Sequence, residues 1–199
     1  MINFIKKITL FNEDVVIKEY TLKEYKTLLK KLLSIKKSPL ETFNFLKDFL
    51  VEKTNLETNK INSLDFIDFF LLLFHIRCTS SANIIKAETV VNEKKVNLKL
   101  NINDFILFLS SIDKTQILIP ENIEKTTTIY YTLPTILDIF NSDDTTILYY
   151  FIDSIKVNER VFEFKNHSLE ERKILYSKLP LKIVHNIKKR VYSIIDFFN

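Results

Sequence analysis

Three histidines, one cysteine and two close-set aspartate pairs are the side chains here whose types could do chemistry. His75, His167 and His185 fall in three separate stretches, with no carboxylate or second histidine at a ligand spacing such as His-Glu-x-x-His. His75 sits in the most apolar run of the chain and is expected to be a core histidine with its N–H satisfied. Cys78 as a nucleophile would need a histidine base, and nothing around it supplies one; an unpaired cysteine is otherwise a small buried hydrophobe. Asp65 with Asp68, and Asp143 with Asp144, have the spacing of paired acids. Each pair also stands at the start of an expected helix, where carboxylates favour the positive end of the dipole. The chain has no Gly at all, which excludes Gly-rich phosphate loops and the nucleophile elbow. No catalytic, cofactor-binding or metal-ligating residue is nominated, no cofactor is expected, and the protein does not read as an enzyme.

Nucleic-acid binding is the other chemistry to weigh. Tyr130-Tyr131, Tyr149-Tyr150 and Phe197-Phe198 could stack on bases, but a reader of bases interleaves such rings with arginine. The arginines, Arg77, Arg160, Arg172 and Arg190, are dispersed, and the formal net charge is only +4. Lysines mix with acids along the chain, so core packing is the better account of the rings.

These residues are positioned by elements whose signals are clear in places. Residues 63–78 form the expected central helix: Ser63 as N-cap, Asp65 and Asp68 in the first turns, Arg77 at the far end, and apolar residues on every side from Phe69 to Phe74. The run is shorter than the ~18 apolar residues a membrane span needs, and Asp68 interrupts it. Before it, residues 4–10 and 14–20 read as a hairpin. Thr21-Leu22-Lys23-Glu24 and Ser38-Pro39-Leu40-Glu41 then read as capping boxes opening two amphipathic helices. Lys23, Lys26, Lys30 and Lys31 line the outer face of the first. After residue 78, 84–91 and 96–102 alternate as a hairpin. In its second strand Val96, Leu98, Leu100 and Ile102 are expected on a half-buried face.

Further on, a short helix over 103–112 capped by Asn103, strands over 116–119 and 127–133, and a helix from Pro134 to Phe140 are expected. A helix starting at 142–144, with Ile147, Leu148, Phe151, Ile152 and Ile155 on one face, comes next. A hairpin follows over 156–165. Ser168-Leu169-Glu170-Glu171 is a third capping box, and its helix must stop before Pro180. The last helix, about 181–198, carries Leu181, Val184, Ile187, Val191, Ile194, Ile195 and Phe198 on one face, a stripe that a partner protein could complete.

The resulting expectation is an α+β fold, predominantly helical, with about six to eight helices around the buried central helix and several small β-hairpins. Length suits one domain or two small closely packed ones; the expectation taken is a single compact domain over 1–199, with possible sub-structure at 1–78, 79–133 and 134–199. Lack of Gly assigns positive-φ positions to Asn or Asp. One cysteine permits no internal disulfide, and the N-terminal residues lack a signal-peptide pattern, so an intracellular protein is expected.

Three stretches together resemble the baseplate hub and hub-assembly proteins of T-even-like contractile-tailed bacteriophages. The first is Val15-Val16-Ile17-Lys18-Glu19-Tyr20-Thr21-Leu22-Lys23-Glu24-Tyr25-Lys26-Thr27-Leu28-Leu29, a strand running into a capped helix. The second is the apolar helix ending in Ile76-Arg77, followed by Ser/Thr residues and a hairpin. The third is Ser168-Leu169-Glu170-Glu171-Arg172-Lys173 through Leu179-Pro180 and the amphipathic closing helix. Where relatives use Gly or Cys pairs near the mid-chain hairpin, this chain has Ser80, Ser81 and Asn83, so no metal-knuckle role carries over. The resemblance implies a non-enzymatic hub subunit or hub-assembly chaperone in the host cytoplasm or the virion tail baseplate. Its partners would be other hub or tail proteins, the tape-measure protein among them, with no membrane, nucleic acid or small-molecule substrate. The alternative is an intracellular nucleic-acid-binding accessory protein that uses the lysine surplus.

Overall fold

A computed structural model describes residues 5–10, 13–34, 38–80, 83–91, 94–143 and 145–198. The chain divides into two compact units, Met1–Ile112 and Asp113–Asn199. Among the described residues there are nine α-helices, one short 3-10 helix and eight strands in three separate antiparallel sheets.

The first unit opens with a hairpin of β1 (Ile5–Leu10) and β2 (Glu13–Lys18), whose Val15 and Ile17 turn into the core. Its helices are α1 (Leu22–Ser34), α2 (Pro39–Lys53), α3 (Thr58–Ser63), α4 (Phe66–Ser80) and α5 (Ile102–Ser110). The Thr21 capping box forms as expected: the Thr21 N–H donates to Glu24 at 2.6 Å and the Glu24 N–H donates to the Thr21 hydroxyl. The Ser38 hydroxyl accepts the Glu41 N–H, and Pro39 occupies the first helical position. Asn55, just past α2, holds β2 in place by accepting the Val16 N–H at 2.8 Å and donating to the Asp14 carbonyl. Ile67, Phe69, Leu72 and Ile76 of α4 are buried among β2, α2 and α5. Between α4 and α5 runs a second hairpin, β3 (Ile84–Val91) with β4 (Lys94–Asn101).

Several boundaries differ from expectation. Ser63 is the last residue of α3 and does not cap the apolar helix. The cap is Asp65, whose carboxylate accepts the Asp68 N–H at 3.0 Å. In the polar stretch before it α3 forms, ending where Leu64 takes an extended backbone at φ −64° and ψ 133°. Asn101, not Asn103, caps α5.

The second unit contains α6 (Lys114–Ile117), α7 (Ile136–Phe140), α8 (Leu169–Ser177) and α9 (Leu181–Phe198), packed with one four-stranded sheet. That sheet runs in sequence order: β5 (Glu121–Glu124), β6 (Thr127–Tyr131), β7 (Ile152–Val157) and β8 (Arg160–Glu163). The expected strand at 116–119 is instead α6, started by Asp113, which accepts the Thr115 N–H. The expected helix after residue 142 is a 3-10 helix, Ile147–Tyr150, that passes straight into β7. Ile152 and Ile155 are then fully buried as members of the sheet. The β7–β8 turn sets Asn158 at φ 55°, so in a chain without Gly an Asn takes a left-handed position as expected. The 3-10 helix lies where α7, α8, α9 and β7 meet.

The expectation of six to eight helices around one buried central helix is therefore corrected. Helix α4 is the core helix of the first unit, and even there Phe70 faces solvent. The second unit has its own apolar centre in Ile129, Ile155, Phe164, Ile187 and Val191, built on a sheet. A four-stranded sheet with one face covered by helices closes a core without any helix at its middle.

Candidate interaction surfaces

The side chains that could do chemistry are mostly engaged in holding the fold. Cys78 Sγ donates to Asn103 Oδ1 at 3.7 Å, and burial pushes its thiol above the ordinary value, the opposite of an activated thiolate. His75 is half-buried on α4, and its Nδ1 is buried without a hydrogen-bond partner, contrary to the expectation of a satisfied core histidine. Burial and then the nearby Lys6 charge hold its pKa below the usual histidine value. His167 approaches Glu171 at 3.5 Å on the surface, and His185 is exposed. Asp143 accepts hydrogen bonds from the hydroxyls and N–H groups of Thr145 and Thr146, which hold its pKa down at about 2; Asp144 lies outside the described residues. Among the described residues no three His, Cys, Asp or Glu side chains converge as a metal site. No helix among them is long and apolar enough to cross a membrane.

Two charged clusters went unseen in the sequence. Lys53, at the end of α2, is nearly buried and reaches Glu24 at 2.6 Å and Glu52 at 2.8 Å. Its hydrogen bond lowers the Glu24 pKa to about 2. Burial works against the Lys53 charge, but the two carboxylates outweigh it and raise its pKa. In the second unit Arg172 is buried and donates to three carbonyls: His167 at 2.8 Å, Lys165 at 2.7 Å and Tyr149 at 3.2 Å. Its guanidinium also lies 4.9 Å from the Tyr150 ring centre. Arg190 donates to the Gln116 and Ile117 carbonyls. The sequence did carry a signal for Arg172: a cation in the first turn of a helix is out of place with the dipole, and needs another reason to be there.

In the tyrosine pairs Tyr131 and Tyr149 serve packing, whereas Tyr130 is exposed, against expectation. Tyr131 is buried and donates to Glu121 at 2.7 Å, and Tyr149 meets Tyr176 edge-on at 4.9 Å. The side chains of Phe197 and Phe198 lie outside the described residues. Of the apolar stripe of α9, Ile187, Val191 and Ile194 are buried and Val184 and Ile195 are half-buried. Its first residue, Leu181, is the exception at 85% exposed. Beside it a cavity of about 420 Å³ opens between the sheet (Val157, Phe162, Phe164) and the α8–α9 turn (Leu175, Leu179, Pro180). The expected lysine face of α1 is present, with Lys23, Lys26 and Lys30 exposed.

Uncovered apolar surface is most concentrated in the first unit. Every residue from Lys95 to Leu100 on β4 is exposed, with Val96, Leu98 and Leu100 at 36–39%, so the strand expected to be half-buried is more open than that. Val96, Leu98 and Leu100 share one side of the ribbon, and Phe105, Leu107 and Phe108 on α5 are exposed just beyond its base. Contiguous apolar surface of this kind marks contacts with other macromolecules more often than it marks catalysis.

The fold and its surfaces define a two-unit α+β protein with structural polar clusters and exposed apolar side chains on β4 and α5. The chain belongs to the family of T4 bacteriophage base plate proteins, whose family profile matches residues 1–195. The resemblance to T-even-like phage baseplate proteins thus holds at the level of the family. No curated protein and no solved structure matches the chain.

Proposed function

We propose that this protein builds the hub of a phage tail baseplate, as a hub subunit or a hub-assembly chaperone, through protein–protein contacts and without catalysis. The observation that carries the reading is the family match over residues 1–195, which takes in both units. The uncovered apolar side chains of β4 and α5 support a role exercised through contact surfaces. Its partners are other hub or tail proteins, the tape-measure protein included, met in the host cytoplasm during assembly.

Deleting the gene from the phage tests the reading. Tails should fail at the hub, and normal, infectious tails would sink it. Mass spectrometry of wild-type particles then separates the two roles: a subunit is retained in the virion, and a chaperone is absent from it. The exposed lysines of α1 favour one further reading, an accessory nucleic-acid binder. Against it, Arg172 and Arg190 are committed to backbone carbonyls. A gel shift that weakens steeply with salt would be its signature.

A further inference from the structure

Between Ile84 and Ser110 the chain turns large apolar side chains outward more densely than elsewhere among the described residues. The β3–β4 register sets Ile85 opposite Leu100, and Leu100, Leu98 and Val96 alternate onto one side of the ribbon. In a hairpin that completes a core this side would be covered. Here Leu98 is 39% exposed, and its neighbours Asn97 and Lys99, pointing the other way, are exposed as well. A two-stranded ribbon with both faces in water is marginal by itself, and a row of Val and Leu left uncovered adds to the deficit.

The opposite side carries a second unrelieved feature. Lys86 and Lys99 stand directly across from each other in the register. Like charges at directly opposed positions destabilise a strand pair. Neither lysine has an ion pair among the described residues, and Glu88 is engaged with Lys95 at 3.1 Å. Lysine on an exposed strand does guard against edge pairing, but that purpose does not require two of them face to face. Over 84–101 the sequence sets Lys86, Lys94, Lys95 and Lys99 against only Glu88 and Glu93.

We propose that the β3–β4 hairpin is a docking arm that enters a cleft in another tail protein. One wall of that cleft is apolar and meets Val96, Leu98 and Leu100; the other presents carboxylates to Lys86 and Lys99. Charge selects a heterologous partner, since a second copy of the hairpin would bring more lysine than acid. The proposal rests on the reading that this protein works through protein contacts, and names the surface and the chemistry of its partner.

The test uses the full chain supplied to a phage lacking the gene, with p-benzoylphenylalanine placed at position 98 or at position 99 for photo-cross-linking during infection. Both positions should cross-link to one other phage protein, position 98 to an apolar segment and position 99 to one bearing Asp or Glu. Cross-links to a second copy of this chain, to nucleic acid, or to nothing overturn the arm. In the same cells Leu98→Asp, and Lys86→Glu with Lys99→Glu, should each lower infectious titre by roughly a hundredfold or more, as loss of an interface hot spot does. Their thermal unfolding should match wild type, because no core residue changes. Lys86→Gln with Lys99→Gln relieves the repulsion within the ribbon while removing the attraction; it should also lower titre, and full activity would overturn the acidic wall. If the deletion is lethal but all these variants complement fully, the arm fails and the hub reading stands. If the deletion phage makes normal tails, the hub reading itself fails.

Discussion

Arg172 shows how a single side chain can hold a loop. Its three donors go to carbonyls of His167, Lys165 and Tyr149, tying the segment before α8 to the 3-10 helix. Replacing it with Met keeps the bulk and orphans those carbonyls, so Arg172→Met should cost about 3 kcal/mol in chemical denaturation. Lysine cannot span the same fork, and Arg172→Lys should recover little of the loss. His75 and Glu24 both shape the acid limb of stability. The pKa of His75 is lowered by burial, so the folded state keeps it neutral while the unfolded chain takes up a proton near 6.5. Stability therefore falls as pH drops below 6.5, and His75→Leu should flatten that part of the profile. Glu24, lowered from 4.5 to about 2 mainly by the Lys53 hydrogen bond, acts in a lower window. Its contribution is complete above pH 4.5 and disappears on the way down to about pH 2. With the carboxylate partly in water, that contribution is about 1 kcal/mol, and Glu24→Gln should remove it at neutral pH. Denaturation midpoints measured from pH 8 to pH 2 distinguish the two windows. The Lys53–Glu24 pair was not legible from spacing because tertiary packing brings it together, and of the Arg172 bonds only that to Tyr149 is long-range.

At the scale of elements, caps and stops were read well where one local rule decides the outcome. The Ser168 box forms with both reciprocal bonds, and α8 ends at Ser177, ahead of Pro180. Ser168→Ala should cost about 1 kcal/mol in a thermal melt. The stretch after residue 142 was misread because Ile147, Leu148, Phe151, Ile152 and Ile155 fit helical spacing, while 152–157 does not alternate cleanly, its pairing with β6 being interrupted by a register shift. Pairing with both β6 and β8 settles it, and that gain is invisible to periodicity. The β3–β4 hairpin was found with nearly its true limits, yet its burial was not, since alternation says which face is apolar and not what covers it. Helix α4 carries the opposite lesson. Leu72 is fully buried, as its apolar surroundings implied. Leu72→Asp would bury an unpaired charge and should cost more than about 4 kcal/mol, leaving the protein insoluble or without a cooperative transition.

For the whole molecule, the question is how many cores one chain of this length builds. Composition supplied enough apolar residues for a real core but could not say that they partition. Residues 1–112 gather theirs around α4, including Val15, Phe43, Leu50 and Ile102. Residues 113–199 gather theirs on β6 and β7 and on α9, where Ile187, Val191 and Ile194 are buried. Every strand of the four-stranded sheet, and both charge-to-carbonyl clasps made by Arg172 and Arg190, have their partners inside the second unit. A segment with its own sheet, its own buried centre and its own polar clasps meets the requirements for folding alone, and its length exceeds that of many domains that do so. The fragment 113–199 should therefore be soluble, retain mixed helix and strand circular dichroism, and melt in a single cooperative transition. Within that fragment Arg172→Met should lower stability by about as much as it does in the full chain, because the clasp is local to the unit. A fragment that is unfolded, or one in which Arg172→Met has no effect, would mean that the second core depends on residues 1–112.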